Sequence, residues 1–164
     1  RTRHPQTITF TSGVNKDGTL VAQKMRTVAN TGPYGTHALT VQMVSGLRGL
    51  STYNCPNKMF DCDVAYTNTP VAGAYRGYGA PQALFALEAH MEDIATELGM
   101  DVLEFRRKNW TKVGDPLDVA AELGVLGHQM HRVAGLGRLD GGGHAGNPAA
   151  DHQQVLVELL LAGG

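Results

Sequence analysis

The densest set of groups able to do chemistry is Thr69-Pro-Val-Ala-Gly-Ala-Tyr-Arg-Gly-Tyr-Gly-Ala-Pro-Gln82. Gly73, Gly77 and Gly79 let a backbone approach a bound group closely. Arg76 brings a rigid fork of donors suited to oxyanions. Tyr75 and Tyr78 flank it, each with a flat apolar face and one hydroxyl. Pro81 suits the first turn of a helix, so the loop runs onto a helix N-terminus. Unpaired N–H groups and partial positive charge there favour an anion. Two readings stay open on these residues. In one, the loop cradles a phosphate or the polar edge of a cofactor, with the tyrosines against a planar ligand. In the other it is a strand-to-helix turn, with Arg76 in a structural ion pair and the tyrosines in the core. No Gly-Lys-Ser/Thr follows, so this is not a Walker A loop, and Gly-x-x-x-Gly-x-Gly is not the dinucleotide fingerprint.

The remaining candidates are weaker. His128-x-x-His131 lacks a Cys or spaced carboxylate to complete a metal site. Cys55 and Cys62 are too few for a disulfide framework and read as reduced thiols of a cytoplasmic protein. Glu88, Glu92, Asp93 and Glu97 fall largely on the solvent side of one helix. His4 and His37 read as structural or exposed. Arg106-Arg107-Lys108 reads as a helix end complementing the dipole.

The elements that position these groups follow from periodicity. Thr7–Thr11 alternates, Asn15-Lys-Asp-Gly18 is a turn, and Leu20–Ala29 returns, which predicts a β-hairpin. His37–Leu47 is ambiguous and admits a helix. Phe60, Cys62, Val64 and Tyr66 alternate with polar or small residues and form the clearest strand signal. Leu84, Leu87, Met91, Ile94 and Leu98 recur at helical spacing, with a stop at Gly99. Asp101-Val-Leu-Glu104 resembles a capping box for a short helix to about Lys108. The order predicts an α+β fold.

The chain has 164 residues, about one domain, with net charge −1, which excludes a strongly basic nucleic-acid binder. No apolar run approaches the roughly 20 residues of a membrane helix. The composition breaks near residue 118. All ten aromatics lie at or before Trp110, and four of seven histidines lie after Lys112. Residues 1–112 are net +3 and residues 113–164 net −4. We read 1–118 as a folding segment and 119–164 as a Gly/His-rich tail, flexible or translated out of frame, with too little to build a core. Val155–Ala162 is apolar without a helical face.

Several motifs together resemble one family. They are Arg3-His-Pro5, Gly13-Val-Asn-Lys-Asp-Gly-Thr19, Ala29-Asn-Thr-Gly-Pro-Tyr-Gly35, Thr67 through Gln82, Phe85-Ala-Leu-Glu88, Leu98-Gly-Met-Asp101 and Leu103-Glu-Phe-Arg-Arg-Lys-Asn109. They resemble the molybdopterin-binding large subunit of the xanthine dehydrogenase/aldehyde oxidase family, closest to bacterial xanthine dehydrogenase-type subunits. The resemblance covers about 1–118, and Ala-Tyr-Arg-Gly-Tyr-Gly-Ala-Pro-Gln is its most specific part.

That resemblance implies a fragment of a molybdenum hydroxylase, an oxidoreductase that hydroxylates a heterocycle or aldehyde with oxygen from water. It implies a molybdenum–molybdopterin cofactor in the cytosine dinucleotide form. It implies [2Fe–2S] and FAD on other domains or subunits, a small-molecule substrate, an oligomeric full enzyme and no nucleic-acid or membrane partner. Arg76 maps to the contact with the molybdenum centre, and Tyr75 and Gly77 lie beside the cofactor. Tyr78 maps to the aromatic that packs on the substrate ring, its hydroxyl bearing on substrate polarity. Arg48 is the candidate for a substrate-orienting arginine. The general-base glutamate is not matched, so no catalytic residue is assigned in this segment. Val102 departs from the family's Pro, and Cys55 and Cys62 do not form an iron–sulfur motif. The alternative from another class is a stand-alone anion- or nucleotide-binding module using the Gly73–Pro81 loop.

Overall fold

The computed structural model describes residues 2–115 and the backbone of a strand at 155–162. The elements run β1 (Gln6–Val14), β2 (Leu20–Gly32), α1 (Ala38–Ser51), β3 (Asn57–Tyr66), α2 (Ala80–Glu97), α3 (Val102–Asn109) and β4 (Val155–Ala162). The expected α+β class holds. The sheet order is β3-β2-β1-β4.

β1 and β2 form the expected antiparallel hairpin, with Phe10 opposite Met25. Its turn closes through Gly18 N–H to the Asn15 carbonyl at 2.8 Å, and Gly18 takes φ 81°. α3 grips this turn. Asn109 donates to the Gly18 carbonyl at 2.8 Å and accepts from Leu20 N–H at 2.9 Å. Lys108 pairs with Asp17 at 3.1 Å. The expected cap of α3 is present, with Asp101 accepting from Glu104 N–H at 2.9 Å.

β3 lies parallel to β2, with Phe60 beside Met25. A parallel neighbour needs a crossover, and α1 supplies it. The residues expected on the buried face of β3 are only partly covered, because β3 is the sheet edge. Phe60, Cys62 and Val64 are half-buried and Tyr66 is 72% exposed. Burial, then Asp63 and Asp61, push the Cys62 thiol up, which suits an unreactive cysteine.

One hydrophobic core joins the sheet to the helices. Ile8, Phe10, Val14, Leu20 and Met25 from the sheet meet Ala83, Leu87, Met91 and Ile94 of α2 and Phe105 of α3. Lys24–Asp61 and Arg26–Asp63 ion pairs cross β2 and β3 on exposed side chains. The stripe Leu84 to Leu98 is the core face of α2, and Gly99 ends it at φ 65°. Glu92, Asp93 and Glu97 are exposed as expected. Glu88 departs from its neighbours. It accepts from the Tyr53 hydroxyl at 2.9 Å and pairs with Arg106 at 2.7 Å, tying α2 to α3 and to the end of α1.

Val155–Ala162, left without an element by its sequence pattern, pairs antiparallel with β1. An eight-residue apolar run has strand length, and the second edge of β1 offers unpaired N–H and C=O groups. The rest of the 119–164 segment, His128 and His131 included, lies outside the described residues. Among the described residues no helix is long and apolar enough to cross a membrane, and no group of three or more His, Cys, Asp and Glu could hold a metal ion.

One buried histidine makes stability pH-dependent. His90 of α2 stacks on Phe10 and bonds Ser12 Oγ at 2.9 Å. Burial lowers its pKa to about 4. The unfolded chain, near 6.5, takes up the proton first. Stability is therefore full above about pH 6.5 and falls as pH drops through about 4, by roughly 3 kcal/mol in total. Denaturant unfolding at about pH 7.5 and about pH 4.5 reads this. His90→Gln should flatten the dependence, and an unchanged slope would remove His90 as its source.

Candidate cofactor site

The loop between β3 and α2 is held on two sides. Its first half is pinned by the N-terminal segment. Gly73 N–H donates to the Thr2 carbonyl at 3.1 Å, and the Thr36 hydroxyl donates to the Ala72 carbonyl at 3.1 Å. Arg3 donates to the Arg76 carbonyl at 2.7 Å and to Gln82 Oε1 at 3.3 Å, and its guanidinium lies 4.7 Å from the Tyr75 ring centroid. Gln82 in turn donates to the His4 carbonyl at 3.2 Å. His4 is buried and faces the Gly73 and Thr36 backbones without a well-aligned bond. Burial, and secondarily the neighbouring His37, lower its pKa, so it supports the loop as a neutral ring.

The second half is folded by left-handed backbone. Gly77, Tyr78 and Gly79 take φ 89°, 50° and 98° in succession. Two of these three positions need glycine on backbone grounds, and Gly79 needs it twice. A Cβ there would collide with the Val41 carbonyl oxygen and lie 2.5 Å from Ser45 Oγ. The Gly79 carbonyl lies 3.1 Å from the Ser45 hydroxyl, which also accepts from Gln6 Nε2 at 3.1 Å. The loop thus docks on α1 by close approach and enters α2 with Gly79 as N-cap and Pro81 in the first turn.

What this leaves available is chemically specific. The Arg76 side chain is exposed, with no hydrogen bond or ion pair among the described residues. The structural ion pair open at the sequence level is therefore absent there. The N–H groups of Arg76 and Gly77 are likewise unspent among the described residues. Tyr75 is 51% exposed, so it is not a core residue. Tyr78 is half-buried, and its hydroxyl meets His37 Nδ1 at 2.8 Å and Thr40 Oγ1 at 2.9 Å. An unpartnered cation, bare N–H groups and the exposed Tyr75 ring suit an anionic ligand such as a phosphate or the polar edge of a planar cofactor.

Tyr75, Arg76, Gly77 and Tyr78 are therefore assembled in one loop. Arg48 is not brought to them. It is exposed in the last turn of α1, whereas Thr40 and His37 lie at the first turn. Arg48 lies eight helical positions beyond Thr40, about 12 Å along the axis. Sequence reasoning missed Arg3, His37, Thr40 and Ser45 as supports of the loop. Only Arg3-His-Pro5 carried a signal, through its part in the family resemblance.

Residues 1–110 match the molybdopterin cofactor-binding domain family. The chain is 42% identical over 115 residues to the xanthine dehydrogenase molybdenum-binding subunit of Escherichia coli O157:H7, covering 70% of this chain and 15% of that protein. It is 36% identical over 115 residues to the nicotinate dehydrogenase large molybdopterin subunit of Eubacterium barkeri, covering 70% of this chain and 27% of that one. Among solved structures, the aldehyde oxidoreductase of Desulfovibrio gigas matches with a TM-score of 0.61 at 37% identity, over 70% of this chain and 13% of that chain. The chain thus spans a small part of the length of these relatives. The match begins at the N-terminal segment that pins the loop and ends at Trp110, just after the helix that grips the hairpin, and on that basis the chain belongs to the molybdopterin cofactor-binding domain family.

Proposed function

We propose that this chain is one wall of the cofactor and substrate site of a larger molybdenum hydroxylase of the xanthine dehydrogenase type. The carrying observation is the unpartnered Arg76 guanidinium beside unspent backbone N–H groups, on a loop fixed by three successive left-handed residues. Bound molybdenum–molybdopterin would supply the oxidising centre that puts water-derived oxygen on a heterocycle or an aldehyde. In this reading Arg76 contacts the metal-bearing end of the cofactor, Tyr75 and Gly77 lie beside it, and Tyr78 offers its ring to a planar substrate. Their support is the fit of the residues and the naming of relatives for xanthine and nicotinate. The general-base glutamate implied by the family resemblance is not matched in this segment, and this reading assigns it to another part of the subunit.

The same reading places [2Fe–2S] and FAD carriers on other domains or subunits, the cofactor in its cytosine dinucleotide form, and the oligomeric enzyme in the cytoplasm. The stand-alone anion-binding module draws no support from relatives whose names carry molybdenum or molybdopterin.

Tyr78→Ala in the full-length enzyme tests the substrate wall. Loss of a packed aromatic face should weaken a planar heterocycle by about tenfold in KM, near the 0.5–1.5 kcal/mol of an aromatic pair. Acetaldehyde should be affected less than twofold, an order-of-magnitude expectation on the same grounds. Equal losses for both substrates would remove the stacking role.

A further inference from the structure

His37 and Tyr78 are the two non-glycine residues with positive φ among the described residues, at 59° and 50°. They touch each other. Their rings meet edge-to-face, with centroids 6.0 Å apart and planes at 83°. Backbone strain at bulky residues persists only where surroundings over-determine it, and it gathers at functional sites. Here each strained residue supplies the other's partner, across 41 positions of sequence.

Proton accounting fixes how the contact is made. Thr40 has one hydroxyl proton, and it donates to the His37 carbonyl at 3.0 Å. Toward the Tyr78 hydroxyl, 2.9 Å away, Thr40 Oγ1 must then accept. The single Tyr78 proton is spent on Thr40. At His37 Nδ1, 2.8 Å away, Tyr78 must therefore accept, so His37 carries its proton on Nδ1. The opposite polarity would forfeit the Thr40 bond to the His37 carbonyl. In this arrangement the Tyr78 hydroxyl has no proton left to give to a ligand.

We infer that His37, assisted by Thr40, is a positioning residue for Tyr78, spending its hydroxyl on α1 so that the site selects planar heteroaromatic substrates by the face of the ring. This deepens the proposed function and rests on its placement of Tyr78 against substrate. It also narrows the sequence-level expectation that the Tyr78 hydroxyl bears on substrate polarity: the hydroxyl sets ring orientation.

The test uses the full-length, cofactor-loaded enzyme and whichever of xanthine, hypoxanthine and nicotinate it oxidises best. Three readouts are taken: KM, kcat, and equilibrium binding of that heterocycle by calorimetry on the reduced enzyme, which needs no turnover. His37→Ala and Tyr78→Phe should each raise KM and Kd about fivefold, the size of one net hydrogen bond, with kcat held within about twofold. The double variant should be no worse than either alone, because both remove the same bond. His37→Asn keeps a side-chain N–H donor and tolerates left-handed backbone, so it should restore KM and Kd to within about twofold. His37→Gly relieves the strain without restoring a donor and should behave as His37→Ala. Should His37→Ala fold poorly, Thr40→Val and Tyr78→Phe carry the same expectation. Unchanged KM and Kd in His37→Ala and Tyr78→Phe, alongside weakened binding in Tyr78→Ala, overturns the positioning role and leaves the substrate wall standing. Unchanged binding in Tyr78→Ala overturns the substrate wall itself. A His37→Ala loss of kcat and molybdenum together, with KM and Kd unmoved, would mark a purely structural residue and also overturn the inference.

Discussion

Gly79→Ala should unseat the loop from α1 and lower stability by about 3 kcal/mol or more. Two costs add. The residue sits at φ 98°, where an L side chain is strained. Its new methyl would also collide with the Val41 carbonyl oxygen, a backbone atom that cannot turn away, and press on Ser45 Oγ at 2.5 Å. Relief requires α1 or the loop to move, which breaks the contacts between Ser45, Gln6 and the Gly79 carbonyl. Thermal unfolding and molybdenum content of the full-length protein read the outcome, and both should fall. A variant with unchanged melting and full cofactor would show that the loop does not rest on α1 as described.

Arg76→Ala should do the opposite: leave the fold intact and sharply lower turnover. The side chain is exposed, and truncation removes no hydrogen bond or ion pair among the described residues. If Arg76 faces the reacting centre as proposed, losing its charge should cost about 10²–10³ in turnover of the full-length enzyme. Arg76→Lys should recover only part of it, because a point-charge ammonium does not reproduce the planar fork. Wild-type turnover in Arg76→Ala, with its melting unchanged, would take Arg76 out of the site. The two substitutions separate the roles within one loop, Gly79 holding its position and Arg76 presenting its charge.

Much of this architecture was legible in the residues, and the legible parts share a cause. α2 showed itself because its buried face, Leu87, Met91 and Ile94, is apolar at helical spacing. The hairpin showed itself because β1 alternates and its turn carries Gly18. α1 stayed ambiguous because its buried face, Ala38, Val41, Gln42, Ser45, Gly46, Gly49 and Leu50, is mostly small or polar, with Val41 and Leu50 its larger apolar residues. Those small residues serve close packing. A Cβ at Gly46 would lie 2.6 Å from the Phe60 ring, and one at Gly49 2.7 Å from Met25 Sδ. Without α1, the parallel placement of β3 beside β2 could not be inferred, nor could its exposure at the sheet edge.

The site divides the same way. Tyr75, Arg76, Gly77 and Tyr78 are contiguous, so their chemistry could be seen in the string. Their supports are not. Arg3 reaches Arg76 across 73 positions, and Thr40 reaches Tyr78 across 38. The positive φ at Tyr78 and at His37 could not be read from residue type, since aromatic and imidazole side chains mostly take negative φ. Arg48 stands apart from the others. It was suggested by the family resemblance, and it lies in the last turn of α1, away from the first turn that meets Tyr78. Glu88 looked like one more solvated carboxylate until Tyr53 and Arg106 closed on it.

The most direct test is elemental and pterin analysis of the purified full-length protein that carries this segment. One molybdenum and one pterin per polypeptide are expected, the stoichiometry of a single built site. Both should be retained on gel filtration and lost together in Gly79→Ala. Protein that folds cooperatively yet contains neither molybdenum nor pterin after expression with molybdate would contradict it.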